Sequence, residues 1–402
     1  MRAHVVIACC LAVGCGSEPS EQPPPEEEGV VSYTMTTTIA PGSEAEHCKF
    51  VIGPPEGLLI NRDEVHYSQG SHHFILYDTN YEAIPDSMFG GTPFTWIDQA
   101  QGVFDCSEGV QFNLDVRQMI AGSQNSDGAS TVHFPPGVAV RLRPNAVLLM
   151  NTHYINPSPN ELKPEVELKL HTLREDELQM EGGILFFFNI FLKAPAMSAS
   201  HATMTCDIPE AITISNAQSH MHARGVDYSA EIIDPNGGRN LFYENTQWEN
   251  VPVQRYDPGL AVAAGSRIEH TCHWNNPGAE DVYIGPRSTD EMCVLLASYY
   301  PAKPELGLCS GRADEPYITN FMGAEWKGQG TATCNASLEC FNSAIAGGTF
   351  DTLRNVTDCV LASDPAVAPE LSDAIGCSIS TYLVGGDVFT DCIDAYTACS
   401  SK

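Results

Sequence analysis

Residues 212–232 read ITISNAQSHMHARGVDYSAEI, and this stretch decides the fold of the region around it. Apolar and polar residues alternate along it, which predicts a β-strand. Side chains two positions apart share one face of a strand, so His220 and His222 are predicted to point the same way. Two imidazoles placed in this way can bind one metal ion.

Other strand-like segments carry further metal-ligating side chains. His72 and His73 lie in SHHFILYD (71–78), His153 lies in NTHYIN (151–156), and Met292 lies in DEMCVLLASYYP (290–301). Imidazole binds several first-row metals, but a thioether is a soft ligand that favours Cu(I). Five imidazoles and one thioether therefore predict two copper sites. In a regular strand His72 and His73 would face opposite ways, so a strand end or bulge is needed for both to bind one ion.

These four blocks, in this order, resemble the type II, ascorbate-dependent copper monooxygenases, the family of dopamine beta-monooxygenase and peptidylglycine alpha-hydroxylating monooxygenase. The resemblance spans roughly residues 33 to 310. It implies that His72, His73 and His153 bind a copper that stores and passes on an electron. It also implies that His220, His222 and Met292 are catalytic, because they hold a second copper that activates O2 beside the substrate. Ascorbate or another small reductant would reduce both ions.

Each element also has a plainer interpretation. A buried His-x-His can be a hydrogen-bonded core pair, and a buried Met most often only fills space. Two other classes of function stay open: an exported copper-binding protein for storage or tolerance without turnover, and a structural or adhesive jelly-roll module in which the histidines are incidental. Failure to bind copper would favour the structural module over the enzyme. Consumption of O2 with a reductant and a substrate would favour the enzyme over the storage protein.

The pattern of elements predicts an all-β protein with a small helical appendage. We expect two tandem jelly-roll-like β-sandwich domains, at 32–178 and 179–325, with one copper on each as the resemblance implies. Residues 16–31 are expected to form a disordered tether rich in Pro and Glu. Residues 329–402 hold six Cys in segments with helix-like spacing, which predicts a mostly helical, disulfide-rich module without catalytic residues.

The first residues and the Cys content predict an exported protein. Residues 1–15 form a short apolar run ending at Cys15, typical of a signal peptide, and the following polar stretch resembles a bacterial lipoprotein with Cys15 lipidated. Cleavage elsewhere, with release into the periplasm or medium, is the alternative. Twelve further Cys form an even set, which favours disulfides over a zinc cluster. The resemblance implies Cys48 with Cys106, Cys206 with Cys309, and Cys272 with Cys293.

The net charge of the chain and two residues near the predicted ligands limit which partners and substrates are expected. The formal net charge of −31 opposes nucleic acid binding. Peptide-hydroxylating relatives anchor a substrate carboxylate with an Arg and a Tyr at positions that are Gln218 and Leu296 here, so a peptide C-terminus loses its anchor. The expected substrate is a small organic molecule, used together with O2. The oligomeric state is left open.

Overall fold

The computed structural model of the protein describes residues 29–68, 70–124, 131–303, 306–309, 323–345, 352–383 and 386–402. The described part of the chain is mostly β, with 48% of its residues in strands and 17% in helices. Its helical part is small, C-terminal and rich in disulfides. The predicted β class is therefore confirmed, whereas Cys15 and residues 16–28 of the tether lie outside the described residues.

Two sheets contain the strands that come first in the chain, here called the N-terminal half. Their strands pair in the orders β5-β6-β2-β9-β4-β7 and β1-β10-β3-β8-β11. These strands are β1 (Val30–Thr36), β2 (Ser43–Ile52), β3 (Leu58–Tyr67), β4 (Ser71–Thr79), β5 (Trp96–Asp98), β6 (Val103–Asp105), β7 (Val116–Ser123), β8 (Val138–Leu142), β9 (Val147–Asn156), β10 (Glu165–Thr172) and β11 (Met180–Glu181). A short helix, α1 (Val110–Asn113), and a 3-10 turn at Phe89–Gly91 lie between them.

Further sheets contain the later strands, here called the C-terminal half. Their strand orders are β12-β21-β15-β18, β17-β16-β19-β14-β22 and β13-β20. These strands are β12 (Gly183–Phe188), β13 (Lys193–Ala194), β14 (Ser198–Ile208), β15 (Ile212–Met221), β16 (Gly225–Ile233), β17 (Arg239–Asn245), β18 (Gln254–Val262), β19 (Ser266–Asn276), β20 (Val282–Tyr283), β21 (Cys293–Tyr300) and β22 (Glu325–Lys327).

The alternating stretch 212–232 forms strand β15 and most of β16, and the polar face of β15 is not exposed to solvent. Nine of its ten residues are buried, and Thr213 is half-buried. Ser215 donates to the main-chain oxygen of His133 in the N-terminal half at 3.1 Å. On the neighbouring strand β21, Ser298 donates to the main-chain oxygen of Thr131 at 2.7 Å. The polar positions therefore join the two halves, and this junction positions the site.

Helices and three disulfides make up the C-terminal module. The helices are α2 (Cys334–Ile345), α3 (Thr352–Leu361), α4 (Ala368–Leu383), α5 (Val388–Asp391) and α6 (Ile393–Ser400), with a 3-10 turn at Pro365–Val367. Their disulfides are Cys334–Cys399, Cys340–Cys359 and Cys377–Cys392. The module packs against β22, where Trp326 donates its main-chain N–H to Ser372 at 2.9 Å. None of the helices in the described ranges is long and apolar enough to cross a membrane.

Candidate metal centre

Five buried histidine rings form one cluster where the two halves meet. The ring of His72 is central, with centroids 5.3 Å from His73, 5.0 Å from His153, 5.2 Å from His220 and 5.4 Å from His222. His220 and His222, predicted to share a face, have centroids 5.2 Å apart. The residues expected at two copper sites therefore converge on a single region.

Strand pairing explains how neighbouring residues reach this region. His73 lies opposite His153 in the pairing of β4 with β9. The register shifts between Ser71 and His73, so the predicted bulge is present at His72 and turns its ring to the same side as His73. In the C-terminal half, β15 ends at Met221, and His222 follows directly in the turn to β16.

The cluster contains two triads of possible ligands that share one residue. His72, His73 and His153 offer ligand atoms within 4.8 Å of one another, and so do His72, His220 and His222. The grouping differs from the expected one in a single respect, because His72 also lies within reach of the pair from the C-terminal half. Its bulged position between the two sheets is the physical reason.

Unpaired ring nitrogens show that these residues fit a metal ion. His72 Nε2, His73 Nδ1, His153 Nδ1 and both ring nitrogens of His222 are buried and have no hydrogen-bond partner. A buried polar atom without a partner is costly, and a metal ion would supply the missing interaction. Copper suits imidazole nitrogen in particular. The donor set therefore fits the copper that the sequence predicted.

Burial also holds the rings in the form that binds metal. Desolvation, followed by the neighbouring imidazoles, lowers the pKa of His72, His73 and His222 well below the usual value. The same causes lower the pKa of His220 to about 3. Neutral imidazole is the ligand form, so these rings need not lose a proton at neutral pH before they bind a cation.

Two side chains that the sequence did not predict orient ligand rings. Glu44 Oε1 accepts from His153 Nε2 at 2.6 Å, and Gln124 Oε1 accepts from His220 Nδ1 at 2.7 Å. Each bond leaves the other ring nitrogen as the free one. Although burial opposes it, hydrogen bonds from His153 and Ser288 lower the pKa of Glu44 to about 2. Glu44 has a weak signal in sequence, since it precedes Cys48 on the same strand, but Gln124 follows β7 without any motif.

A second carboxylate of β2, Glu46, lies inside the cluster. Its Oε1 is 3.6 Å from His73 Nε2 and 3.9 Å from His153 Nδ1, and its side chain is 7% exposed. Burial raises the pKa of Glu46 to about 7, against the opposing effect of His153. Glu46 and Glu44 are two residues apart, which places both carboxylates on the face of β2 that meets the histidines.

An apolar cavity that is partly open to solvent adjoins the cluster. Half-buried Met292 lines it together with His73 and His220. Gln218 and Leu296 also line it. Among the described lining residues there is no Lys or Arg, and Glu46 is the sole carboxylate. Most of the remaining wall is apolar or aromatic and includes Phe74, Ile75, Tyr77, Val110, Met119, Phe186, Phe188 and Val294.

Glu291, next to Met292, connects that residue to the turn after β15. Its carboxylate accepts the main-chain N–H of His222 at 3.1 Å and of Arg224 at 2.7 Å. It also accepts from Trp274 Nε1 at 2.8 Å. The carboxylate is completely buried, so these three donors are the interactions that stabilise it there. The sequence pattern predicts no role for Glu291.

Disulfides join strands near the cluster. Cys48 pairs with Cys106, Cys206 with Cys309, and Cys272 with Cys293, the three pairs that the resemblance implied. With the three of the C-terminal module, all twelve cysteines after Cys15 are paired. His270 lies beside the Cys272–Cys293 bridge, but its sulfurs are bonded to each other and are not thiolate ligands.

Comparison with known proteins supports the prediction of a copper protein over about a third of the chain. Residues 185–322 match the family described as copper type II ascorbate-dependent monooxygenase, C-terminal domain. No curated protein matches the chain.

Similar solved structures include the major capsid protein P2 of bacteriophage PM2, with 9% identity, a TM-score of 0.24 and coverage of 66% of this chain and 97% of that one. Another is the infectious bursal disease virus Gx strain, with 10% identity, a TM-score of 0.19 and coverage of 68% and 72%. TM-scores of 0.24 and 0.19 are too low to indicate a shared fold. By the family match, residues 185–322 are therefore similar to the C-terminal domain of the copper type II ascorbate-dependent monooxygenases.

Proposed function

We propose that the protein is a copper-dependent monooxygenase that hydroxylates a C–H bond of a small organic molecule, using O2 and a reductant such as ascorbate. The observation that carries the proposal is the cluster of five buried imidazoles, with unpaired nitrogens, at an apolar cavity that also contains Met292. Each turnover places one oxygen atom of O2 in the product and releases the other as water. Two electrons from the reductant and two protons balance the reaction.

In this proposal the side chains hold two copper ions. His220, His222 and Met292 hold the ion beside the substrate, and His72, His73 and His153 hold the other. His72 also lies within ligand reach of the His220–His222 pair, so its ring is shared between the two sites. When bound, copper supplies the electron transfer and O2 reactivity that no side chain of the chain provides. Glu44 and Gln124 keep two of the rings oriented, and the apolar wall of the cavity excludes water from the reacting C–H bond.

The lining of the cavity favours a compact, apolar substrate without a carboxylate. A buried anion needs a cationic or bidentate partner, and the described lining has neither Lys nor Arg. Gln218 and Leu296 line the cavity at the positions that would anchor a peptide carboxylate. Aromatic residues such as Phe186 and Phe188 suit a flat hydrocarbon ring.

We further propose that the protein is exported, as a lipoprotein anchored through Cys15 or in free form. Six disulfides support an oxidising compartment. We also retain the division into two jelly-roll-like β-sandwich domains, 32–178 and 179–325, with 329–402 as an appended module. Protein from periplasmic expression should show no free thiol by mass analysis.

The test is turnover by the copper-loaded protein. With ascorbate and ¹⁸O2, a panel of small apolar compounds should yield products that carry one labelled oxygen atom. Met292→Leu should abolish product formation, whereas Met119→Leu, which removes another thioether from the same cavity wall, should retain it. Copper binding without product from any compound would favour storage, and full activity of Met292→Leu would refute the assigned role of that sulfur.

A further inference from the structure

The carboxylate of Glu44 contacts both halves of the molecule at once. Its Oε1 accepts from His153 Nε2 at 2.6 Å and from the main-chain N–H of Ser288 at 2.5 Å. Its Oε2 accepts from the Ser288 hydroxyl at 2.7 Å. Glu44 and His153 belong to the N-terminal half, while Ser288 lies in the segment that leads to Met292 in the C-terminal half.

We propose that Glu44 is a positioning residue with two separable effects: it fixes the coordinating nitrogen of His153, and through Ser288 it sets the distance between the two metal sites. The inference rests on the ligand assignments of the proposed function. It assigns to this one carboxylate a role that links the electron-transfer site to the O2 site.

The first effect follows from the two nitrogens of His153. A carboxylate accepts but does not donate, so the His153 proton lies on Nε2 and the lone pair lies on Nδ1. That Nδ1 is buried without a partner. A carboxylate that holds the remote N–H of a histidine orients the ring and raises its basicity as a ligand. Without Glu44 the ring can adopt the other tautomer, which does not present this lone pair.

The second effect follows from the short path between Ser288 and the other ligands. Asp290 donates its main-chain N–H to the oxygen of Arg287 at 2.9 Å, which closes the turn that contains Ser288. Glu291 then follows, and its carboxylate accepts the main-chain N–H of His222 at 3.1 Å. Ser288 is thus connected to Met292 by a short turn of the chain, and to His222 by the hydrogen bond from Glu291.

A neighbouring ion pair across the halves does not provide the same restraint. Arg287 and Glu108 approach to 3.6 Å, but their side chains are 61% and 73% exposed. Exposed pairs of this kind contribute little to geometry or stability. The Glu44 contacts are shorter, and they end on a buried ligand ring that is 1% exposed.

Variants can separate the two effects. Ser288→Ala removes the hydroxyl bond across the halves but keeps Glu44 on His153. Glu44→Gln keeps the size and one acceptor oxygen, and Glu44→Ala removes both contacts. Ser43→Ala, which loses an exposed hydroxyl bond within the N-terminal half, is the control. Each protein is checked for folding by circular dichroism, loaded with Cu(II), and examined for copper number, affinity and magnetic coupling between the two ions by electron paramagnetic resonance.

Glu44→Ala should weaken copper binding at the His153 site by about 10- to 100-fold, the usual effect of losing such a partner, with a smaller loss in Glu44→Gln. Ser288→Ala should keep two coppers but reduce their magnetic coupling. Unchanged affinity in Glu44→Ala together with unchanged coupling in Ser288→Ala would overturn the inference and leave the proposed function intact. Failure of the unaltered protein to bind copper would refute the proposed function, and this inference with it.

Discussion

The ring of His72, in the N-terminal half, lies 5.2 Å from the ring of His220, in the C-terminal half, measured between centroids. His72 is also a member of both ligand triads. A ligand shared in this way places the two metal sites side by side. The loss of a ligand at one site is therefore expected to change copper binding at the other.

His72→Ala should reduce copper binding at both sites, because each triad loses a ligand. His73→Ala should affect mainly the first triad, and His222→Ala mainly the second. Copper analysis combined with electron paramagnetic resonance distinguishes these cases. His66→Ala, at an exposed ring with no contact to the cluster, serves as the control. Loss of only one copper in His72→Ala would contradict the sharing of this ligand.

Gln124→Ala should weaken copper binding at the His220 site by about 10- to 100-fold, since the ring loses the acceptor that fixes its Nδ1 proton. The affinity for Cu(I) can be measured by competition with a chelator. Gln99→Ala changes an exposed glutamine elsewhere and should have no effect. If Gln124→Ala retained full affinity, the ring of His220 would be held by strand geometry alone.

Two disulfides with loops of similar length allow a matched comparison. Cys272–Cys293 closes a separation of 21 residues beside Met292, and Cys340–Cys359 closes one of 19 residues in the C-terminal module. Replacing either pair by Ala should lower the free energy of unfolding of its own region by about 3 kcal/mol, from loop entropy. Only the Cys272/Cys293 replacement should also lower copper affinity. Equal copper affinities in the two variants would show that the first bridge does not position Met292.

His270 should make the copper-free protein less stable in acid. Burial lowers the pKa of this ring to about 3, from an ordinary value of 6.5. Between these values the unfolded chain binds a proton that the folded one excludes, so stability is complete above pH 6.5 and falls as the pH drops towards 3. From neutral pH to about pH 5 this one group should cost about 2 kcal/mol.

Replacing His270 by Phe keeps a ring beside Tyr228 and removes the titrating group. Urea unfolding at the two pH values should then show a smaller loss of stability in His270→Phe than in the unaltered protein. Some loss will remain, because the cluster histidines have lowered pKa values too. An equal loss in both proteins would contradict the burial effect at His270.

Local patterns in the sequence determined the strands and the candidate ligands. Alternation along 212–232 predicted β15 because side-chain direction in a strand depends only on the neighbouring residues. The chemistry of imidazole and thioether groups predicted copper from residue types alone. The adjacent His72 and His73 even required a bulge, which is present at that point. The paired cysteines followed from the resemblance, since spacing does not determine connectivity.

Only the tertiary structure decided how these pieces meet. The polar face of β15 lies against the N-terminal half instead of solvent, which no local pattern distinguishes. Glu44 and Gln124 contact ligand rings 109 and 96 residues away; Glu44 has only the weak signal of its place on the strand of Cys48, and no motif marks Gln124. The reason is physical: residue type and period act over a few positions of the chain, whereas the partners of a buried ring are set by strand register and by the packing of one half on the other.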